Sequence, residues 1–341
     1  MPDRPRLTPA IADVRRAVRD ALPGDGASGG LVLVALSGGP DSLALAAATA
    51  FEAPRAGLRA GAVIVDHGLQ DASAAVADRA AEQARTLGLD PVRIVRVEVG
   101  TDGGPEAAAR SARYAALDSA ADELSAGVIL LGHTLDDQAE SVLLGLARGS
   151  GAASMQGMAP ETGRYRRPLL GIRRATTVQA CADAGLEPWD DPHNADPAYA
   201  RVRVRETVLP VLERELGPGV AEALARTAEQ LREDADALDA FAGEVAEDIV
   251  ELEEAGVSLS VSALAANPPA LRQRLIRLVA ASEFHVSLSR AQTLAIARLV
   301  TDWHGQAALD LPGFTAERRG SRIRLVSSTA GPLTGRKPAA D

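Results

Sequence analysis

The chain has 341 residues, 46% hydrophobic and 24% charged, an ordinary globular composition, and its length suits one large domain plus one smaller. A single cysteine, Cys181, excludes an internal disulfide and any Cys-Cys zinc site or Cys-ligated cluster built by this chain alone; its spacing suggests a small residue on a helix face. Without an apolar signal core or a stretch of membrane-spanning length, a cytoplasmic protein with no membrane partner is expected. The formal net charge of −10 argues against nucleic acid as a partner of the whole surface, but arginines cluster at 164–174, 201–205 and 318–324, while acid gathers over 213–254. Lys337 is the only lysine, so no folded-looking segment can supply a Schiff base or a P-loop lysine.

In chain order, Thr8-Pro9 predicts a helix start, and Pro23-Gly24 its end. A buried strand over 31–36 runs into Ser37-Gly38-Gly39-Pro40-Asp41-Ser42 and a helix over 43–53. Paired glycines and serines before a helix N-terminus suit a bound anion, although neither a Walker A ending nor a spaced dinucleotide fingerprint is present. A second strand, 61–69, ends in Asp66-His67, and a helix over 73–87, a strand over 91–99, a helix over 106–125 and a strand over 128–131 follow. Gly132-His133 is expected to open a helix reaching Arg148. This alternation predicts an α/β fold, a Rossmann-like parallel sheet with helices on both faces, whose ligands gather at the carboxyl ends of the strands. Residues 149–172 look like loop, 175–184 helical and 186–200 irregular. The pattern is helical from 201 to 254 with a break at 217–219, then gives two or three helices over 259–300 and short strands at 307–311 and 321–326.

His133, Asp136, Asp137 and Glu140 fall at i, i+3, i+4 and i+7 and so share one face of the expected helix, where the carboxylates suit a metal, a cationic substrate or both. An exposed acidic face is the competing reading, and intrahelical pairing of Glu106 with Arg110 competes with a phosphate role for that arginine. Arg113 has no acidic residue at i−3 or i−4 and needs a partner from elsewhere.

Ser37-Gly38-Gly39-Pro40-Asp41-Ser42 resembles the PP-loop of ATP pyrophosphatases. Further motifs resemble one branch, the tRNA(Ile)-lysidine synthases. They are Val65 to Leu69, Glu106 to Tyr114, Leu131 to Glu140, Arg148 to Gly151, Arg167 to Leu170, Trp189 to Asn194 and Tyr199 to Pro210. The chain departs from the family pattern at Val202, after Arg201, and at His193, before Asn194. The resemblance implies ATP and Mg²⁺, free L-lysine and an isoleucine tRNA with a CAU anticodon, and leaves room for a homodimer. It places Ser37, Gly38, Gly39, Pro40 and Ser42 on the ATP phosphates and Asp41 on Mg²⁺ or phosphate, with Val65 and Asp66 near the adenosine. Arg113 and His133 fall to the α-phosphate, Asp137 and Glu140 to the lysine ammonium, Asp136 to a metal, and Arg201 and Arg205 to tRNA or a substrate carboxylate. The implied domains are an ATP-binding catalytic domain over 1–212, a helical linker over 213–258, a mainly helical tRNA-binding domain over 259–327 and a disordered tail over 328–341. The rival readings are a PP-loop tRNA thiolase, which the single cysteine opposes in its cluster-dependent form, an amidotransferase-type enzyme, and an inactive tRNA-binding module.

Overall fold

The computed structural model describes residues 7–24, 29–68, 73–100, 104–149, 151–191 and 196–328, which divide into two compact units, up to Arg232 and from Glu233 onward. In the first unit, α1 (Pro9–Ala21) begins where the Thr8 hydroxyl accepts from the Ile11 N–H, and it buries Ile11, Val14 and Val18. The alternation then runs β1 (Leu31–Ala35), α2 (Pro40–Glu52), β2 (Arg59–Asp66), α3 (Ser73–Thr86), β3 (Val92–Arg96), α4 (Pro105–Glu123), β4 (Ala126–Leu130) and α5 (Leu135–Ala147). Beyond α5 the expected loop holds one helical turn, α6 (Ala152–Met155), and a hairpin of two-residue strands, β5 (Glu161–Thr162) and β6 (Tyr165–Arg166). Strands that short leave no alternation to read in the sequence. Next come α7 (Arg174–Asp183), α8 (Ala200–Arg203), a π turn at Val204–Val208, and α9 (Leu209–Leu216).

The sheet order is β3-β2-β1-β4-β6-β5, parallel throughout except for β5 at its edge. The chain steps outward from β1 to β3 and then crosses back to place β4 on the other side of β1. A crevice therefore opens at the carboxyl ends of β1 and β4, the topological switch point where ligands of such sheets bind. Leu43, Leu45 and Ala81 pack one face with Val32 and Val34, and Leu117 and Ala121 of α4 cover the other over Leu33, Val63 and Ile129. Two glycines permit close approaches. A Cβ on Gly61 would lie 2.6 Å from the Pro91 carbonyl oxygen, and one on Gly132 would lie 3.0 Å from the Ser42 nitrogen. The second brings the exit of β4 directly against the first turn of α2.

Helix α10 (Val220–Ile249) begins in the first unit and ends in the second. The second unit continues with β7 (Val250–Glu253), β8 (Gly256–Ser260), α11 (Val261–Ala266), α12 (Pro269–Phe284), α13 (Arg290–Thr301), β9 (Leu309–Leu311), β10 (Phe314–Arg319) and β11 (Arg322–Ser327). Its strands form an antiparallel sheet in the order β7-β8-β11-β10-β9, whose Leu259, Phe314 and Leu325 pack with Ile276 of α12 and Ile296 of α13. The helical linker expected over 213–258 thus ends in strands β7 and β8, because the acidic run hides the period-two pattern of Val250-Glu251-Leu252-Glu253. The expected tail lies, apart from Ser328, outside the described residues. Among the described residues no helix is long and apolar enough to cross a membrane.

Gly61→Ala forces β2 away from Pro91 and is expected to cost about 1–3 kcal/mol, seen as a lower unfolding midpoint for the first unit. An unchanged midpoint would contradict the close packing.

Candidate nucleotide-binding site

The loop between β1 and α2 is held by its own polar groups. The Ser42 hydroxyl accepts from the Ser37 N–H at 3.2 Å, lies 3.0 Å from the Ser37 hydroxyl and donates to the Gly39 carbonyl at 3.0 Å. Gly38 has φ +86°, and its carbonyl accepts from the Trp189 N–H at 2.9 Å. Pro40 occupies the first position of α2, so the helix presents the Asp41 and Ser42 N–H groups without intrahelical acceptors. That terminus faces a cavity of about 720 Å³, which Ser37, Gly39, Pro40, Asp41 and Ser42 help to line.

The loops after β2 and β4, together with α4, supply a second wall: Val65, Asp66, His67, Arg113 and His133 all reach the same cavity. Asp66 is buried, accepts from the Gly68 N–H at 2.9 Å and pairs with Arg96 at 3.2 Å, and the Gly68 bond above all holds its carboxyl below the usual range. Arg113 has no carboxylate partner among the described residues, and its Nε is buried without a hydrogen bond; burial lowers its pKa. His67 and His133 likewise bury Nδ1 without a partner. Burial, reinforced by the nearby Arg113 charge, lowers the pKa of both and takes His133 to about 3. This wall holds a half-buried cation that no carboxylate among the described residues neutralises, and imidazoles kept uncharged. Such a surface calls for an anion.

The third wall is a knot of carboxylates and arginines. Arg174, in the first turn of α7, reaches Asp41 at 3.3 Å, Asp137 at 2.7 Å and Glu140 at 3.2 Å. Arg205 clasps Glu140 with Nε at 2.7 Å and Nη2 at 3.1 Å. Arg201 lies 3.5 Å from Glu140 and donates to the Ser141 hydroxyl at 3.1 Å. Burial raises the pKa of Asp41 even though Thr177 and Arg174 bond to it. Burial would raise Asp137 too, but the Arg174 charge and the Thr134 N–H outweigh it and hold that carboxyl below its ordinary value.

Several sequence expectations change here. Helix α5 starts at Leu135, because Thr134 and Asp137 form a capping box, so His133 precedes the helix and does not share its face with the carboxylates. Asp137 reaches the cavity, whereas Glu140, 0% exposed, lies behind it under the arginines. Asp136 accepts from the Arg174 N–H at 2.7 Å and pairs with Arg173 at 3.1 Å, which caps α7 and leaves it apart from Asp41 as a metal ligand. No group of three His, Cys, Asp or Glu side chains among the described residues is placed to hold a metal ion. Asp41 alone remains suited to one contact with a nucleotide-borne Mg²⁺, whose other ligands are ordinarily phosphate and water. Arg205 lines the cavity while Arg201 stands behind it. Cys181 packs beneath the loop, 3.3 Å from the Pro40 carbonyl, and burial pushes its thiol up to about 12. Arg174, Thr177 and Trp189 belong to the site without having been singled out for it. Their one sequence signal is the Arg173-Arg174 pair in a basic run and Trp189 ahead of Asp191. His193 and Asn194 lie outside the described residues, as does the side chain of Glu106.

A phosphate-type loop at the switch point of a parallel sheet defines a PP-loop nucleotide-binding protein, and the family model described as PP-loop domain matches residues 13–212. The model described as TilS substrate binding domain matches residues 259–324. Curated proteins named tRNA(Ile)-lysidine synthase are similar over nearly their whole length. That of Leifsonia xyli is 67% identical over 91% of this chain and 93% of its own, and that of Thermobifida fusca 58% over 94% and 98%. The chain belongs to the tRNA(Ile)-lysidine synthase family. Among solved structures, the U34-tRNA thiolase NcsA from Methanococcus maripaludis with its [4Fe-4S] cluster superposes with a TM-score of 0.56, covering 66% of this chain and 80% of that one. At 22% identity this likeness shows the fold alone.

His133, half-buried with its Nδ1 fully so, gives a pH signature. An unfolded chain binds a proton there near pH 6.5, the folded one only near pH 3. Its contribution to stability is therefore complete above about pH 7 and is lost as pH falls toward 3. His133→Asn is expected to flatten the fall in unfolding free energy between pH 7.5 and 5. Identical slopes in both proteins would contradict the neutral imidazole.

Proposed function

We propose that this chain uses ATP to join free L-lysine to C2 of the wobble cytidine in an isoleucine tRNA with a CAU anticodon, acting in the cytoplasm. The cytidine C2 oxygen attacks the α-phosphorus, the bond to the bridging oxygen of the β-phosphate breaks, and pyrophosphate leaves. The lysine ε-amine, having lost a proton, then attacks C2. The C2–O bond breaks, AMP departs, and lysidine remains. Both steps need phosphate charge stabilised and an amine oriented in one enclosed place.

The observation that supports this reading is one cavity lined by charges of both signs: the half-buried Arg113, without a carboxylate partner among the described residues, on one wall, and the Asp137 carboxylate, shared with Arg174, on another. Ser37, Gly38, Gly39, Ser42 and the α2 N-terminus take the β- and γ-phosphates, with Pro40 setting the helix start. Asp41 would hold a nucleotide-borne Mg²⁺, which when bound would neutralise phosphate charge. Backbone at Val65-Asp66 meets the adenosine, and Arg113 with neutral His133 meets the α-phosphate. Asp137 receives the lysine ammonium and Arg205 its carboxylate. Glu140 positions Arg174 and Arg205 and does not itself touch the substrate. Arg201 lies toward the tRNA.

With ATP and tRNA, the enzyme is expected to release pyrophosphate, and AMP is expected only once lysine is added. Turnover independent of tRNA and lysine would overturn the reading. Asp137→Asn loses a charge-assisted contact and is expected to raise the lysine KM about 10–100-fold while pyrophosphate formation falls much less. Equal loss in both half-reactions would refute that role.

A further inference from the structure

The arginines of the C-terminal unit do not act as one basic patch. On the sheet, Arg319 pairs with Glu317 at 2.7 Å, Arg322 with Glu251 at 2.9 Å and Arg324 with Glu253 at 2.6 Å. The dense cluster that stands out in the sequence is thus largely neutralised. Among the described residues Arg290 and Arg298 of α13 and Arg318 of β10 have no carboxylate partner, and the first two are exposed. Arg318 donates to the Leu299 carbonyl at 3.0 Å and the Gly320 carbonyl at 3.1 Å, and its guanidinium carbon stands 5.4 Å from the centroid of the Trp303 ring. Trp303 is 39% exposed in the loop that leaves α13. That loop is held in shape, since Gln306 accepts from the His304 N–H at 3.0 Å and donates to the Asp302 carbonyl at 2.6 Å.

Capping of α13 accounts for the bond from Arg318 to Leu299. It does not account for an indole left open on an ordered loop, nor for two exposed, uncompensated arginines on the same helix. The core of this unit closes around Phe314, Leu259 and Ile296 without Trp303. An aromatic ring beside a guanidinium, with further free cations along the adjoining helix, is the equipment for stacking a base and meeting its backbone.

We propose that α13 and the loop after it form an RNA-contacting surface, with Arg290 and Arg298 on phosphates and one unpaired base stacked against the Trp303–Arg318 pair. This rests on the reading of a tRNA substrate and adds which surface of the C-terminal unit meets it. The paired arginines of the sheet stay out of the contact.

The test is filter binding of the full chain to unmodified isoleucine tRNA over a salt series, with circular dichroism to verify folding. Trp303→Ala is expected to weaken binding about tenfold and Trp303→Phe much less. Arg298→Ala, at an exposed position, is expected to weaken binding and lower the salt slope by about 0.7–0.9, whereas Arg319→Ala and Arg322→Ala stay within about twofold of wild type because ion pairs already neutralise those groups. The chain has two tryptophans, so Trp189→Phe leaves Trp303 as the sole indole, and tRNA should quench its fluorescence. Wild-type binding with no effect of Trp303→Ala or Arg298→Ala and no quenching would overturn this surface alone. Failure of the wild-type chain to bind tRNA at all would overturn the functional reading together with it.

Discussion

Arg174 ties the site together. Its guanidinium reaches carboxylates on two elements, Asp41 on α2 and Asp137 and Glu140 on α5, while its backbone N–H is bonded by Asp136. Three carboxylates this close together, two of them buried and Asp41 half-buried, would repel one another and raise each other's proton affinity. A single delocalised cation with forked donors removes that repulsion and fixes the geometry at once. Thr177, one turn further along α7, reaches back to Asp41, so α7 is fastened to the phosphate loop and to the acidic helix together. Removing one partner from such a group leaves uncompensated buried charge, which is far more damaging than the net worth of the pairs.

Around that fixed point the cavity separates its charges. The α2 terminus and Arg113 offer positive potential that no carboxylate among the described residues satisfies, whereas every carboxylate in the knot already has an arginine. Anions therefore find open partners, and a cation must share Asp137 with Arg174. Gly132 lets the two halves meet, since a side chain there would press on Ser42. A helix dipole, a half-buried arginine and neutral imidazoles gathered in one cleft act on an anionic charge more strongly than they would in bulk water.

Much of this was readable from the residues. The strand–loop–helix pattern at 31–53, the repeated alternation and the placement of Ser37–Ser42, Asp66-His67 and His133–Glu140 at strand ends are local signals, and the parallel sheet follows from them. The partners were not readable, because they come from distant chain: Arg174 lies 34 positions beyond Glu140, and Arg205 lies 65 beyond it. Spacing put His133 on the face of α5, but a Thr134 cap moved the helix start past it. Periodicity also missed β7 and β8, whose acidic residues continue a helix-like run. Glu251 and Glu253 on β7 then neutralise arginines some 70 residues later, a cancellation that composition cannot reveal.

On the proposed function, one cavity serves both activation of a tRNA base and addition of lysine to it. The most direct measurement is nucleoside mass spectrometry of isoleucine tRNA after reaction with ATP and isotope-labelled lysine. The label is expected on a single modified cytidine, at the wobble position of the CAU anticodon, and on none when ATP or lysine is omitted. Unlabelled cytidine, or label at any other nucleotide, would contradict it.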